Sequence, residues 1–146
     1  MSIVLVDDHL LLRVLLGDEP PKLRAPDTAI ATTGLWYHRL CRALADENVI
    51  GSISRQLGTV DDSVASAVLG TVIELPDTIE LISLRTLSWP MAELVHSGAR
   101  LNLLSLEALA AALQLSAALC LAEVDDNPPL RRTAAEIGIT VRTIGG

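Results

Sequence analysis

Four aliphatic residues, IVLV at positions 3–6, run straight into two adjacent carboxylates, Asp7 and Asp8, and a second aliphatic stretch opens at Leu10. A short run that is apolar at every position suits a strand buried on both faces, the kind found in parallel sheets covered by helices on each side. The stretch from 9 to 16 then reads as a helix stopped by Gly17. The rest of the apolar content fits that architecture. Half of the 146 residues are hydrophobic, nearly all of them Leu, Val, Ile and Ala, with Trp36, Tyr37 and Trp89 as the aromatics and no Phe. A chain of this length builds one domain, spanning residues 1–146, with a full core and no need of metal or disulfide staples.

Further along, residues 28–32 predict a second strand, and the spacing of Leu35, Leu40 and Leu44 predicts a helix over 34–46. The Asp61–Asp62–Ser63 triplet reads as the start of a helix over 64–69, because its side chains can accept orphan backbone N–H bonds. A strand is expected around 79–83, then a helix that begins at Pro90 and ends before Gly98. Residues 105–107 open an Ala/Leu-rich helix to Leu115, followed by a strand over 117–122, a helix over 130–136 and a last strand over 139–144. Strands alternating with helices predict a three-layer α/β/α domain with a mainly parallel central sheet. In such sheets ligands bind beyond the carboxyl ends of the strands. Asp7 and Asp8 follow one strand at that edge, and Glu123, Asp125 and Asp126 follow another.

The formal charge of −7 argues against broad electrostatic binding of nucleic acid, which needs a basic footprint. Cys41 and Cys120 stand far apart in apolar sequence and outside any CxxC spacing, so both are expected as reduced thiols. No basic segment precedes an apolar one at the start, and the longest apolar stretch, 108–122, is interrupted by Gln114 and Ser116. These features predict neither a signal peptide nor a membrane span, and a cytoplasmic location. With a mean hydropathy of +0.43, some apolar surface is expected to remain for a partner, and a homodimer is predicted.

The opening "VLVDDHLLLRVLL" resembles the first strand of a response-regulator receiver domain. That family also needs a phospho-accepting Asp some 45 residues on and a late Lys. Here no acid lies between Asn48 and Val60, and the single lysine, Lys22, is early. The second half, "LEALAAALQLSAALCLAEVDDNPPLRRTAAEIGITVRTI", is similar to the C-terminal part of PIN domains, the fold of virulence-associated toxin ribonucleases. Asp7 followed by Asp8, His9 and apolar helix matches the start of that family, and "TAIATTGLWYHRL" stands where its second strand and next helix belong. The resemblance implies a PIN-like fold with Asp7, Glu107 and Glu123 or Asp125 as catalytic and metal-holding acids. It implies Mg²⁺ or Mn²⁺ as cofactor, cleavage of an RNA phosphodiester, and an antitoxin-like protein partner. A catalytically degenerate relative acting as a binding module is the alternative. The chain departs from the pattern in two places. PIN nucleases carry a Glu on the helix after the second strand, near His38 or Arg39 here, and no acid lies between Asp27 and Asp46. Glu107 also replaces the more usual Asp.

Each acid has a simpler role available. Asp7 and Asp8 suit helix capping, Glu107 suits the first turn of a helix, and Asp125–Asp126–Asn127–Pro128 suits a solvated turn. His38, Arg39 and Arg42 share one helix face, read as a solvated stripe beside aromatics packed inward or as a contact for RNA.

Overall fold

The computed structural model describes residues 2–46 and 62–145, so the expectations for the segment 47–61, Asp61 included, lie outside the described residues. Among the described residues five strands form one sheet in the order β3-β2-β1-β4-β5, and every neighbouring pair is parallel. The strands are β1 (Ile3–Val6), β2 (Ala29–Thr33), β3 (Ile79–Ile82), β4 (Ala118–Ala122) and β5 (Val141–Ile144). Among the described residues the helices are α1 (Asp8–Leu15), α2 (Gly34–Ala45), α3 (Asp62–Ile73), α4 (Leu84–His96), α5 (Leu103–Leu115) and α6 (Pro128–Glu136), with a 3₁₀ turn at Glu123–Asp125. The arrangement is the three-layer α/β/α fold expected from the alternation of elements.

Strand alternation divides the core in two. Leu5 of β1, Ala31 of β2, and Leu119 and Leu121 of β4 point into a cluster completed by Leu87 and Met91 of α4, the alanines of α5 and Leu130 of α6. Their neighbours Val4, Val6, Ile30, Cys120 and Ala122 point the other way, onto Leu10 and Leu11 of α1 and Leu40 and Leu44 of α2. Both faces of β1 and β4 are thus covered, which is why their sequences carry no polar alternation. Helix α5 is buried continuously from Ser105 to Ala112, so it is apolar around most of its circumference rather than along one stripe.

Three of the boundaries that differ from the sequence expectation do so for a clear local reason. Helix α4 begins six residues before Pro90, at Leu84, because the Ser83 hydroxyl accepts the Arg85 N–H and caps it there. Pro90 therefore sits inside the helix, at the cost of one backbone hydrogen bond. Helix α5 starts at Leu103, capped by Asn102, whose side chain accepts the Ser105 N–H. This moves Glu107 out of the first turn and into the buried body of the helix. Strand β5 starts at Val141 because the Ile139 N–H is used to close α6 on Ala134 after Gly138 turns at positive φ. Both cysteines are free thiols, Cys120 buried and Cys41 half-buried. Among the described residues no helix is long and apolar enough to cross a membrane.

Candidate functional site

The parallel topology brings the carboxyl ends of β2, β1 and β4 side by side, and each strand hands over to a polar or flexible residue there: Thr33–Gly34, Asp7 and Glu123. Asp7 is fully buried and is the N-cap of α1. Its Oδ1 accepts the Leu10 N–H at 2.9 Å and its Oδ2 accepts the Ala122 N–H at 2.8 Å. The carboxylate therefore does two structural jobs, starting α1 and tying β1 to the end of β4. Burial nonetheless pushes its pKa up from 3.8 to about 6; the two backbone donors and nearby His9 pull down, and the adjacent Asp8 adds to the rise.

Asp8, next along the chain, turns to α2 instead. The Arg39 guanidinium meets it side-on, with Nε donating at 2.8 Å and Nη2 at 2.6 Å. The same Nη2 also donates to Asp125 Oδ2 in the turn after β4. Arg39 thus bridges two acids that lie far apart in sequence, on elements that leave the same sheet edge. Its own pKa is raised above the ordinary guanidinium value, foremost by the hydrogen bond to Asp8 and further by Asp125, against the opposing effect of burial. The bidentate fork is a geometry that Arg provides and Lys does not. His38 and Arg42 are exposed, as a solvated helix face requires, while Trp36 is buried.

Glu107 is fully buried on α5, and its Oε1 accepts the Leu35 N–H at 2.8 Å. A carboxylate from one helix here caps the N-terminus of another, satisfying an orphan donor of α2 where the helix dipole favours negative charge. Its Oε2 lies 3.7 Å from where a Cβ on Gly34 would sit and is buried with no hydrogen-bond partner among the described residues.

Among the described residues, Asp7, Glu107, Glu123 and Asp125 do not supply three ligand atoms within 4.8 Å of one another. Asp7 and Glu107 are each committed to backbone N–H groups. Glu123 lies against Gly145, where an added Cβ would come within 2.8 Å of its Oε2. It lines a cleft of about 420 Å³ together with His9, Arg13 and Asp18. Asp125 instead lines a separate cleft of about 210 Å³, with Trp36, Arg39, Asn102, Ser105 and Asn127. Among the described residues, one group of three candidate ligands has its atoms within 4.8 Å of one another: Asp8, His9 and Asp125. That group could hold a metal ion, but its donor set suits a hard cation poorly. Both oxygens of Asp8 and one of Asp125 are engaged by Arg39, and the remaining donor is an imidazole, whereas Mg²⁺ favours oxygen ligands. A divalent ion placed there would also face a guanidinium within hydrogen-bond reach of its own ligands.

Sequence reasoning placed Asp125 at this sheet edge but missed Asp8 as an ion-paired acid and Arg39 as the partner of both. The available signal was a basic residue standing where the resembling family carries an acid. No protein-family model matches the chain, and the search of curated proteins finds no match for it.

Proposed function

We propose that this chain is a divergent PIN-like domain acting as a catalytically degenerate binding or interaction module. The observation that supports this reading is the commitment of the edge acids to internal partners, above all the fork of Arg39 on Asp8 and its contact to Asp125. A metal-dependent nuclease needs carboxylate oxygens free to bind the ion and hold an attacking water. Here Asp7, Asp8 and Glu107 each hold the fold together instead. Exposed apolar side chains on α4, with Leu84, Trp89 and Val95 outward, support a homodimer or a protein partner as the thing bound.

The second reading, an Mg²⁺- or Mn²⁺-dependent endoribonuclease of toxin type using Asp7, Glu107, Glu123 and Asp125, has one observation in its favour. The buried Glu107 Oε2 has no donor among the described residues, and a cation is one of the groups that satisfy such an atom. Incubating RNA with the purified chain and Mg²⁺ or Mn²⁺ separates the two readings. The module reading expects no cleavage above background. Metal-dependent cleavage that disappears in Asp7→Ala would replace it with the nuclease. Light scattering at micromolar concentration tests the dimer, and a strict monomer would remove that partner.

A further inference from the structure

We propose that the Arg39 guanidinium is the resident cation of this pocket, occupying the place a divalent ion would take, so that the native protein excludes such an ion. The inference rests on reading the site as a degenerate one, and it names what replaced the metal.

The geometry has the features of a bridging cation. A single nitrogen, Nη2, contacts carboxylates from two different elements, Asp8 at the start of α1 and Asp125 in the turn after β4. The guanidinium itself comes from a third element, α2. Asp8 is buried, with 9% of its side chain exposed, so its charge requires a counter-charge at short range. Arg39 provides it while keeping about a third of its own side chain in solvent. The exposed His9 imidazole completes the cluster with its ligand atom inside 4.8 Å of both carboxylates. Two carboxylates and one imidazole are a sufficient protein ligand set for a divalent cation of intermediate hardness such as Mn²⁺. What denies them that role is the positive charge already bound between them. Loss of a like charge at that distance raises cation affinity by at least roughly tenfold.

The test is a Mn²⁺ titration of the full chain, read by the loss of the free-ion electron paramagnetic resonance signal and by thermal melting with and without Mn²⁺. Wild type is expected to leave the Mn²⁺ signal and its own melting temperature unchanged. Arg39→Met keeps the aliphatic stem and removes the charge. It is expected to take up one Mn²⁺ per chain and to gain thermal stability as Mn²⁺ is added; adding Asp125→Asn should abolish both effects. Should Arg39→Met be unfolded without metal, recovery of its helical circular dichroism on adding Mn²⁺ supports the proposal, and failure to recover overturns it. Wild type binding Mn²⁺ as tightly as the variant overturns it, as does a folded variant that ignores the ion. RNA cleavage by a wild type that leaves the Mn²⁺ signal unchanged would instead strike the module reading alone, so the two failures are told apart.

Discussion

Asp7 makes the stability of this protein depend on pH in an unusual direction. Most acids that serve as helix caps hold their charge more easily in the folded state, but burial here outweighs two backbone donors and lifts the pKa from 3.8 to about 6. The folded chain therefore binds this proton more tightly than the unfolded chain. Stability from the group is fully present below about pH 4 and is lost as pH rises through about 6. A gap of about two pKa units corresponds to roughly 3 kcal/mol, of which roughly 2 kcal/mol falls between pH 4 and 7.5. Asp7→Asn isolates the effect because it cannot titrate. Its amide can accept from Leu10 or Ala122 but not from both, since its other terminus is itself a donor; the cost, about 1–3 kcal/mol, is the same at every pH. Urea unfolding of both proteins at intervals from pH 4 to 7.5 should show wild type losing roughly 2 kcal/mol of its advantage over the variant. Parallel stability curves would refute the reasoning, because they would mean that Asp7 ionises alike in the folded and unfolded chain.

Three further outcomes follow from burial and hydrogen bonding. Trp89 is 74% exposed and Trp36 2%, so iodide should quench one tryptophan strongly; Trp89→Phe should leave a fluorescence that resists quenching, and an unprotected residual signal would contradict the packing of Trp36. Burial raises the pKa of the Cys120 thiol, despite Arg142 beside it, while Cys41 is half-buried. A thiol reagent should therefore modify Cys41 well before Cys120 in the native protein, and equal rates would count against the fold. Arg142 donates to the backbone carbonyls of Lys22 and Leu23, pinning the loop after α1 to β5 with Leu23 in the core. Arg142→Met should cost roughly 1–2 kcal/mol in urea unfolding and raise amide exchange in that loop, and an unaltered loop would refute the tether.

The architecture could be read from the sequence because a parallel sheet leaves a strong mark. β1 and β4 are apolar on both faces, and each is followed within a residue or two by acid and then by helix. The boundaries were less legible where capping chemistry competed with a louder signal. Pro90 looked like a helix start, yet the quieter Ser83 cap sets the true one and the helix carries the proline as an internal defect. In the same way residues 105–107 looked like the opening of a helix, but Asn102 caps it earlier, and Glu107 lies in its buried body rather than in its first turn.

That displacement explains why the acids were visible and their roles were not. An acid at the edge of a parallel sheet can hold a metal, cap a helix or pair with an arginine, and residue type alone does not distinguish these. The deciding information is the direction of nearby donors. Leu10 and Ala122 aim their N–H groups at Asp7, Leu35 aims its own at Glu107, and Arg39 closes on Asp8 and Asp125. Of these donors only Arg39 is a side chain, so it alone could have been read from the sequence, as the positive charge on the helix after β2 where an acid was expected. Under the proposed PIN-like reading, a guanidinium stands where a nuclease would carry a carboxylate, so the pocket is two charge units less negative than such a nuclease site would be. Its attraction for a divalent cation falls with that change, while its remaining acids become free to serve as internal caps and ion-pair partners.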